Sequence, residues 1–204
     1  MYYFYLFLCC VAGYLFDRFY IFKWIHKKTI IGSMFAGLVL GYISYFYKEE
    51  WLLKYLFFIF YIVLRGIFII DAKLMRIPNM LTSIVFLCGV TICLYMYPIN
   101  ILNHIFGMVF ICFFLLLLLK IKPGCFGLGD VKLCGAAGLF LGLGNILCAF
   151  VIAVLLAGII GICVLVKNQK LVNQKIPFGP FLCLGMIIAS FYGDTLVNWY
   201  FSFY

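Results

Sequence analysis

Acidic side chains are scarce in this chain of 204 residues: Asp17, Glu49, Glu50, Asp71, Asp130 and Asp194 are all it has. Two of them stand where a charge is expensive. Asp71 closes the largely apolar run FFIFYIVLRGIFII, and Asp130 stands in GLGD at the head of another apolar stretch. An acid at the margin of hydrocarbon tends to face a bundle interior or a wet cavity. Two carboxylates brought close there cannot easily both ionise, so they share a proton. One then acts as base toward water while the other donates a hydrogen bond to the carbonyl under attack. That division of labour hydrolyses a peptide bond with neither a metal ion nor a cysteine nucleophile. Spacing alone leaves open whether Asp71 and Asp130 meet or are two unrelated interfacial acids. Gly127 and Gly129 strip side chains from the backbone just ahead of Asp130, allowing unusual dihedral angles and the close approach of another chain. An extended peptide needs bare backbone beside the acids, although small residues also simply let helices pack closely.

The elements that must carry these acids are membrane helices. The chain is 68% apolar, 21% aromatic and 10% charged, with a mean hydropathy of +1.23. A soluble domain has about 45–50% apolar and about 25% charged residues. Several runs approach or exceed the ~20 apolar residues that span a bilayer. The composition therefore predicts an all-α, polytopic helical bundle, a single integral membrane domain over residues 1–204 with no soluble module. The first run, YYFYLFLCCVAGYLF, lacks a basic flank and an A-x-A-like cleavage site and is expected to remain as a span. The net charge of +9 lies mainly in short loops, where it orients the chain in lipid. It does not point to a nucleic-acid partner. The ten cysteines contain no C-x-x-C pair and read as small buried thiols. With only His26 and His104 to join them, no metal site is expected.

Eight segments can be laid across the membrane: 2–16, 29–47, 51–70, 80–97, 101–119, 130–143, 146–166 and 178–192. The sixth and seventh form one apolar stretch from Ala136 to Val166, too long for a single ordinary span, with a plausible turn at Gly142, Gly144 and Asn145. Charge bias supports the division. With the N-terminus outside, the inner loops hold Arg18, Lys23, Lys27, Lys28, Lys73, Arg76, Lys120, Lys122, Lys132, Lys167, Lys170 and Lys175, twelve of the fifteen basic residues. The outer loops keep Lys48 and Lys54, offset by Glu49 and Glu50, and Arg65 lies within a span. Merging the two segments would send the Lys167–Lys175 loop outward, against the rule. Trp24, Trp51 and many tyrosines fall near span ends, as interfacial anchors do. In this layout Asp71 and Asp130 are separated by two complete spans and return to the same inner face.

Three stretches, DAKLMRIPNMLT (71–82), GLGDVKL (127–133) and IPFGPFLCLG (176–185), resemble the signature motifs of type IV prepilin peptidases, membrane aspartic proteases of the G-x-G-D class. The resemblance covers roughly residues 55–190. It implies that Asp71 and Asp130 are the catalytic pair and that no cofactor is needed. The substrates would be precursors of type IV pilins, pseudopilins or competence proteins, cut on the cytoplasmic side of a bacterial cell membrane between a short basic leader and an apolar helix. It also implies that Gly127, Gly129, Pro177 and Gly179 line the substrate groove, with a rigidified helix start as the alternative for the P-F-G-P stretch. Pro78 and Asn79 are expected to end a loop and cap the fourth span. Lys132, about 200° around the helix from Asp130, is expected to snorkel to the interface. Arg65 needs a partner that the sequence does not name. Asp17 is expected to pair with Arg18 at the interface, and is the one other acid on the inner side.

One departure from the family pattern stands out. Larger members carry a cytoplasmic insert after the first span with two zinc-binding C-x-x-C pairs, associated with methylation of the new amino terminus. The loop from Asp17 to Lys28 has no cysteine and is far too short, so the resemblance implies peptidase activity without the zinc module and leaves N-methylation open. Two other readings remain open at the level of sequence. Presenilin-like and signal-peptide-peptidase-like proteases carry a tyrosine–aspartate pair inside a span, whereas Ile70 precedes Asp71 here and a charged loop follows. A non-enzymatic transport or assembly subunit would leave the carboxylates structural or on an ion path.

Overall fold

Inside lipid an apolar stretch must satisfy its own backbone hydrogen bonds, and a helix does so within one segment. In the computed structural model every regular element among the described residues is helical. The structure describes residues 2–21, 30–47, 50–95, 101–122, 124, 126–167 and 177–203. Eight α-helices follow one another among them: α1 (Tyr2–Phe16), α2 (Ile30–Tyr47), α3 (Trp51–Leu74), α4 (Asn79–Tyr95), α5 (Ile101–Ile121), α6 (Leu128–Leu141), α7 (Leu143–Lys167) and α8 (Gly179–Phe201). A π-helical turn, Asp17–Ile21, continues α1. The eight helices fall on the eight segments marked in the sequence. Five stretches, Tyr3–Ile21, α3, α5, Leu143–Cys163 and α8, are each long and apolar enough to cross a membrane, and the chain is a polytopic membrane protein. Met34–Phe46 and α4 are shorter apolar helices. At 14 residues, α6 rises only about 21 Å, short of a ~30 Å hydrocarbon layer. Several expectations, those for Lys23, Trp24, His26, Lys27, Lys28, Lys48, Glu49, Lys170 and Lys175, lie outside the described residues.

The chain divides into two compact units, residues 1–70 and 71–204. In the first, α1 packs along α2 because α2 presents Gly37 and Gly41 one turn apart. A Cβ at Gly37 would stand 2.6 Å from the Cys9 carbonyl oxygen, and one at Gly41 2.6 Å from the Cys9 Cβ. This is the small-xxx-small device of helix contacts in membranes. The Tyr5 hydroxyl, fully buried, meets Ser44 Oγ at 2.8 Å and donates to the Lys54 carbonyl at 3.1 Å. Lys54 is not the loop charge expected from the sequence: it is 7% exposed, with Nζ 3.9 Å from the Tyr45 ring centre and 4.7 Å from that of Trp51. Facing aromatic rings lower the cost of burying that cation. Arg65 finds its partner in Asp17, not in a neighbour on its own helix. Nη1 and Nη2 donate to Oδ1 and Oδ2 at 2.7 and 2.9 Å, a two-pronged ion pair. Asp17 is thus engaged by Arg65, where the sequence suggested Arg18.

In the second unit α6 is the central post. It touches α4, α5, α7 and α8, and every residue from Asp130 to Leu141 except Lys132 is buried. A helix apolar all round belongs inside, which explains how a helix too short to span is kept. The division between α6 and α7 falls at a single residue, Gly142, whose φ of 84° and ψ of 171° are open to glycine almost alone. Its N–H closes α6 onto the Gly138 carbonyl at 2.9 Å, and the Asn103 side chain accepts the freed Leu143 N–H at 3.3 Å.

The α5–α6 crossing is set by two facing glycines. A Cβ at Gly107 would lie 2.8 Å from the Gly138 carbonyl oxygen, and one at Gly138 2.7 Å from that of Gly107. Gly158 and Gly161 on α7 face open space within 4 Å. Overpacking a closed contact costs about 1–3 kcal/mol, whereas replacing glycine in an open helix interior gains about 0.5–1 kcal/mol. We therefore expect Gly138→Ala to lower stability by about 2 kcal/mol and Gly161→Ala to raise it slightly, measured by reversible unfolding in mixed micelles. Equal effects of the two substitutions would contradict the close crossing.

Candidate active site

Asp71 lies in the last turn of α3. The sequence placed it at the end of a span ending at residue 70, but the helix runs four residues further. Met75 then stops it in the left-handed conformation, φ 51°, with its N–H on the Asp71 carbonyl at 2.9 Å. This is the single-bond form of a helix C-cap. The Asp71 side chain, 5% exposed, is held from elsewhere. Its Oδ2 accepts the Gly179 N–H at 3.0 Å. Gly179 is the first residue of α8, after the cap residue Phe178 and before Pro180. The first N–H groups of a helix have no partner within it, and the helix N-terminus favours a negative charge. Asp71 is thus bound at an anion-seeking end of α8.

Asp130 sits on the first turn of α6, 8% exposed. Its Oδ2 reaches back to the N–H of Gly127, the cap residue, at 3.0 Å, the acid's half of a capping box. Both carboxylates are therefore tied by one oxygen to the N–H of a glycine at a helix start. They lie within electrostatic reach of each other. Among the described residues neither Oδ1 accepts a hydrogen bond, and neither is sealed from solvent. Two nearly buried acids, each with one anchored and one open oxygen, can hold and polarise a water molecule between base and acid roles.

The glycines expected to bare backbone for a substrate turn out to differ. A Cβ at Gly179 would stand 2.5 Å from Asp71 Oδ2, so that glycine is occupied by the acid itself. A Cβ at Gly129 would stand 3.2 Å from the Ile77 Cβ, so Gly129 admits the loop leading into α4. Gly127 is the most open of the three, 3.4 Å from Asp130 Oδ2. Pro177 is half-buried, just ahead of the α8 cap. Asn79 does not use its side chain to cap α4: the Pro78 carbonyl accepts the Leu81 and Thr82 N–H groups, and Asn79 Oδ1 accepts Lys132 Nζ at 3.3 Å. Lys132 does turn away from Asp130, and it joins the G-x-G-D helix to the I-P-N loop. Sequence reasoning passed over Phe126 and Phe178, whose rings meet with centroids 4.9 Å apart. The available signal was a Phe-Gly dipeptide preceding each acid-holding N–H. Among the described residues no three His, Cys, Asp or Glu side chains converge where a metal ion could bind.

Comparison with known proteins adds a family match and several relatives. The Type IV leader peptidase family matches residues 55–162, a span that includes both acids. A protein of Legionella pneumophila named Prepilin leader peptidase/N-methyltransferase is 40% identical over 95 residues, covering 47% of this chain and 32% of the relative. Proteins of the same name from Bacillus subtilis (strain 168) and Aeromonas salmonicida are 32% identical over 87 residues and 34% over 76, covering 35% and 26% of their own lengths. The chain thus spans about a third of the length of the curated relatives it matches. No solved structure matches it.

Proposed function

Because the chain belongs to the type IV leader peptidase family, we propose that it is an aspartic endopeptidase that removes the leader from precursors of type IV pilins or pseudopilins, with Asp71 and Asp130 as the catalytic pair. The observation that carries this reading is the matched anchoring of the two acids, each by one oxygen to a glycine N–H at a helix start. Fixed acids need no reorganisation as charge develops in the transition state. One carboxylate, ionised, takes a proton from the attacking water. The other, protonated, donates to the scissile carbonyl and stabilises the tetrahedral intermediate. When the intermediate collapses, the leaving amine takes up a proton and the C–N bond breaks, with no covalent bond to the enzyme. The substrate groove runs past Gly127 and Pro177, while Gly179 and Gly129 are taken up by Asp71 and Ile77.

The positive-inside bias of the loops supports an N-terminus outside and both acids near the cytoplasmic face of a bacterial cell membrane. A precursor whose basic leader stays in the cytoplasm and whose apolar helix enters lipid presents its scissile bond at that depth. The relatives' shared name couples peptidase to N-methyltransferase; the proposal here covers peptide hydrolysis alone, because the short Asp17–Lys28 loop has no C-x-x-C pairs.

Co-expression with a type IV prepilin tests the activity. We expect the precursor to shift to its shortened form, with mass spectrometry placing one cut at the junction of leader and helix. An assembly subunit without catalysis would leave the precursor intact, and that result would end the proposal. For orientation, Lys170→Cys should resist a membrane-impermeant maleimide in intact cells and react once they are permeabilised.

A further inference from the structure

The two backbone donors that hold the acids are linked through the side chains just ahead of them. Phe126 directly precedes Gly127, which holds Asp130, and Phe178 directly precedes Gly179, which holds Asp71. The two rings meet at 4.9 Å between centroids and 56° between planes. Phe150 of α7 backs both, at 6.2 and 6.3 Å, and Phe114 of α5 stands edge-on to Phe150 at 5.9 Å. These separations and tilts are those at which aromatic rings attract. The rings sit close to what they control. Phe178 is the cap of α8, its carbonyl accepting the Phe181 and Leu182 N–H groups at 3.1 Å, so its placement fixes the direction of the next N–H. Phe126 stands one residue before Gly127, the cap of α6, whose own N–H holds Asp130.

On the reading that Asp71 and Asp130 form the catalytic pair, we propose that Phe126, Phe150 and Phe178 are a clasp that fixes the separation of the two carboxylates. They are positioning residues: each acts through the glycine N–H that follows or through the ring that does. Loosening the pair lets the α6 and α8 starts drift, and with them the two acids. A displacement of about 1 Å at reacting groups can cost about 100-fold in rate. Plain interfacial aromatics, by contrast, would affect anchoring in lipid and leave turnover alone.

The test uses the purified full chain in lipid nanodiscs with a purified type IV prepilin as substrate. Phe178→Ala and Phe126→Ala are each expected to lower kcat by about 10–100-fold while KM changes little. The double variant should lose no more than the worse single one, since both break the same link. Phe178→Tyr should keep kcat near that of the unaltered chain, and Phe178→Leu, similar in apolar bulk but without a ring, should not. That last pair decides the matter if the alanine variants fail to accumulate. Unchanged kcat in Phe178→Leu, or losses that multiply in the double variant, would overturn the clasp while leaving the peptidase reading intact. An unaltered chain that cuts no prepilin would sink both.

Discussion

Asp71→Asn and Asp130→Asn are each expected to reduce prepilin cleavage by about 10²–10⁴-fold, the range that a positioned acid or base contributes, with little change in folded yield. Asparagine has nearly the shape of aspartate and keeps an oxygen that can accept the Gly179 or Gly127 N–H now bound at 3.0 Å. What it loses is the ability to take a proton from water or pass one to the leaving amine. The carboxylates act on one water as a unit, so removing both should cost about as much as removing one. Gel mobility of the precursor, followed over hours and not minutes, reads the effect, and residual cleavage near the unaltered rate would remove that residue from the mechanism. Asp17→Asn is the informative contrast. It strips Arg65 of its two-pronged partner and leaves a half-buried guanidinium without a counter-charge, which is destabilising. The expected result is less folded protein, with unchanged turnover per folded molecule.

The helices were legible in the sequence because length and hydropathy report directly on what lipid demands of a backbone. Even the division of the long apolar stretch from Ala136 to Val166 falls where a glycine was available to break it, at Gly142. Helix ends were less legible. Lys73 and Leu74 continue α3 past Asp71 because a charged side chain can occupy the last turn of a helix that leaves the hydrocarbon. Partners were not legible at all. Arg65 with Asp17, Lys132 with Asn79 and Gly179 with Asp71 are joined across 48, 53 and 108 residues. A helical period says which face a residue is on, and nothing about which other helix that face meets. The glycines show the same limit. GLGD reads as bare backbone, yet Gly129 is filled by Ile77, whereas the glycine that accommodates an acid lies fifty residues on, in the P-F-G-P stretch.

That difference yields an ordering of substitutions that motif reading alone would not give: Gly179→Ala is expected to be far worse than Gly129→Ala, and Gly127→Ala the mildest. A Cβ at residue 179 would lie 2.5 Å from Asp71 Oδ2, 2.9 Å from its Cγ and 3.2 Å from its Cβ. The obstacle is not the tip of a long flexible side chain. Asp71 is short, 5% exposed and bound to the very N–H beside the new methyl, so either its χ angles change or the start of α8 retreats. Both move a carboxylate by about the 1 Å that can cost about 100-fold in rate. At residue 129 the nearest atom would be the Ile77 Cβ at 3.2 Å, and a loop can yield a few tenths of an ångström. At residue 127 the nearest contact is an ordinary 3.4 Å, and the backbone, φ −86° and ψ 150°, suits any residue. Alanine there gives up only a modest cap preference. Initial cleavage rates of the three variants, normalised to folded protein, check the order. A Gly179→Ala enzyme as fast as Gly127→Ala would mean that Asp71 does not rest against α8 during turnover, and the anchoring that organises this site would have to be abandoned.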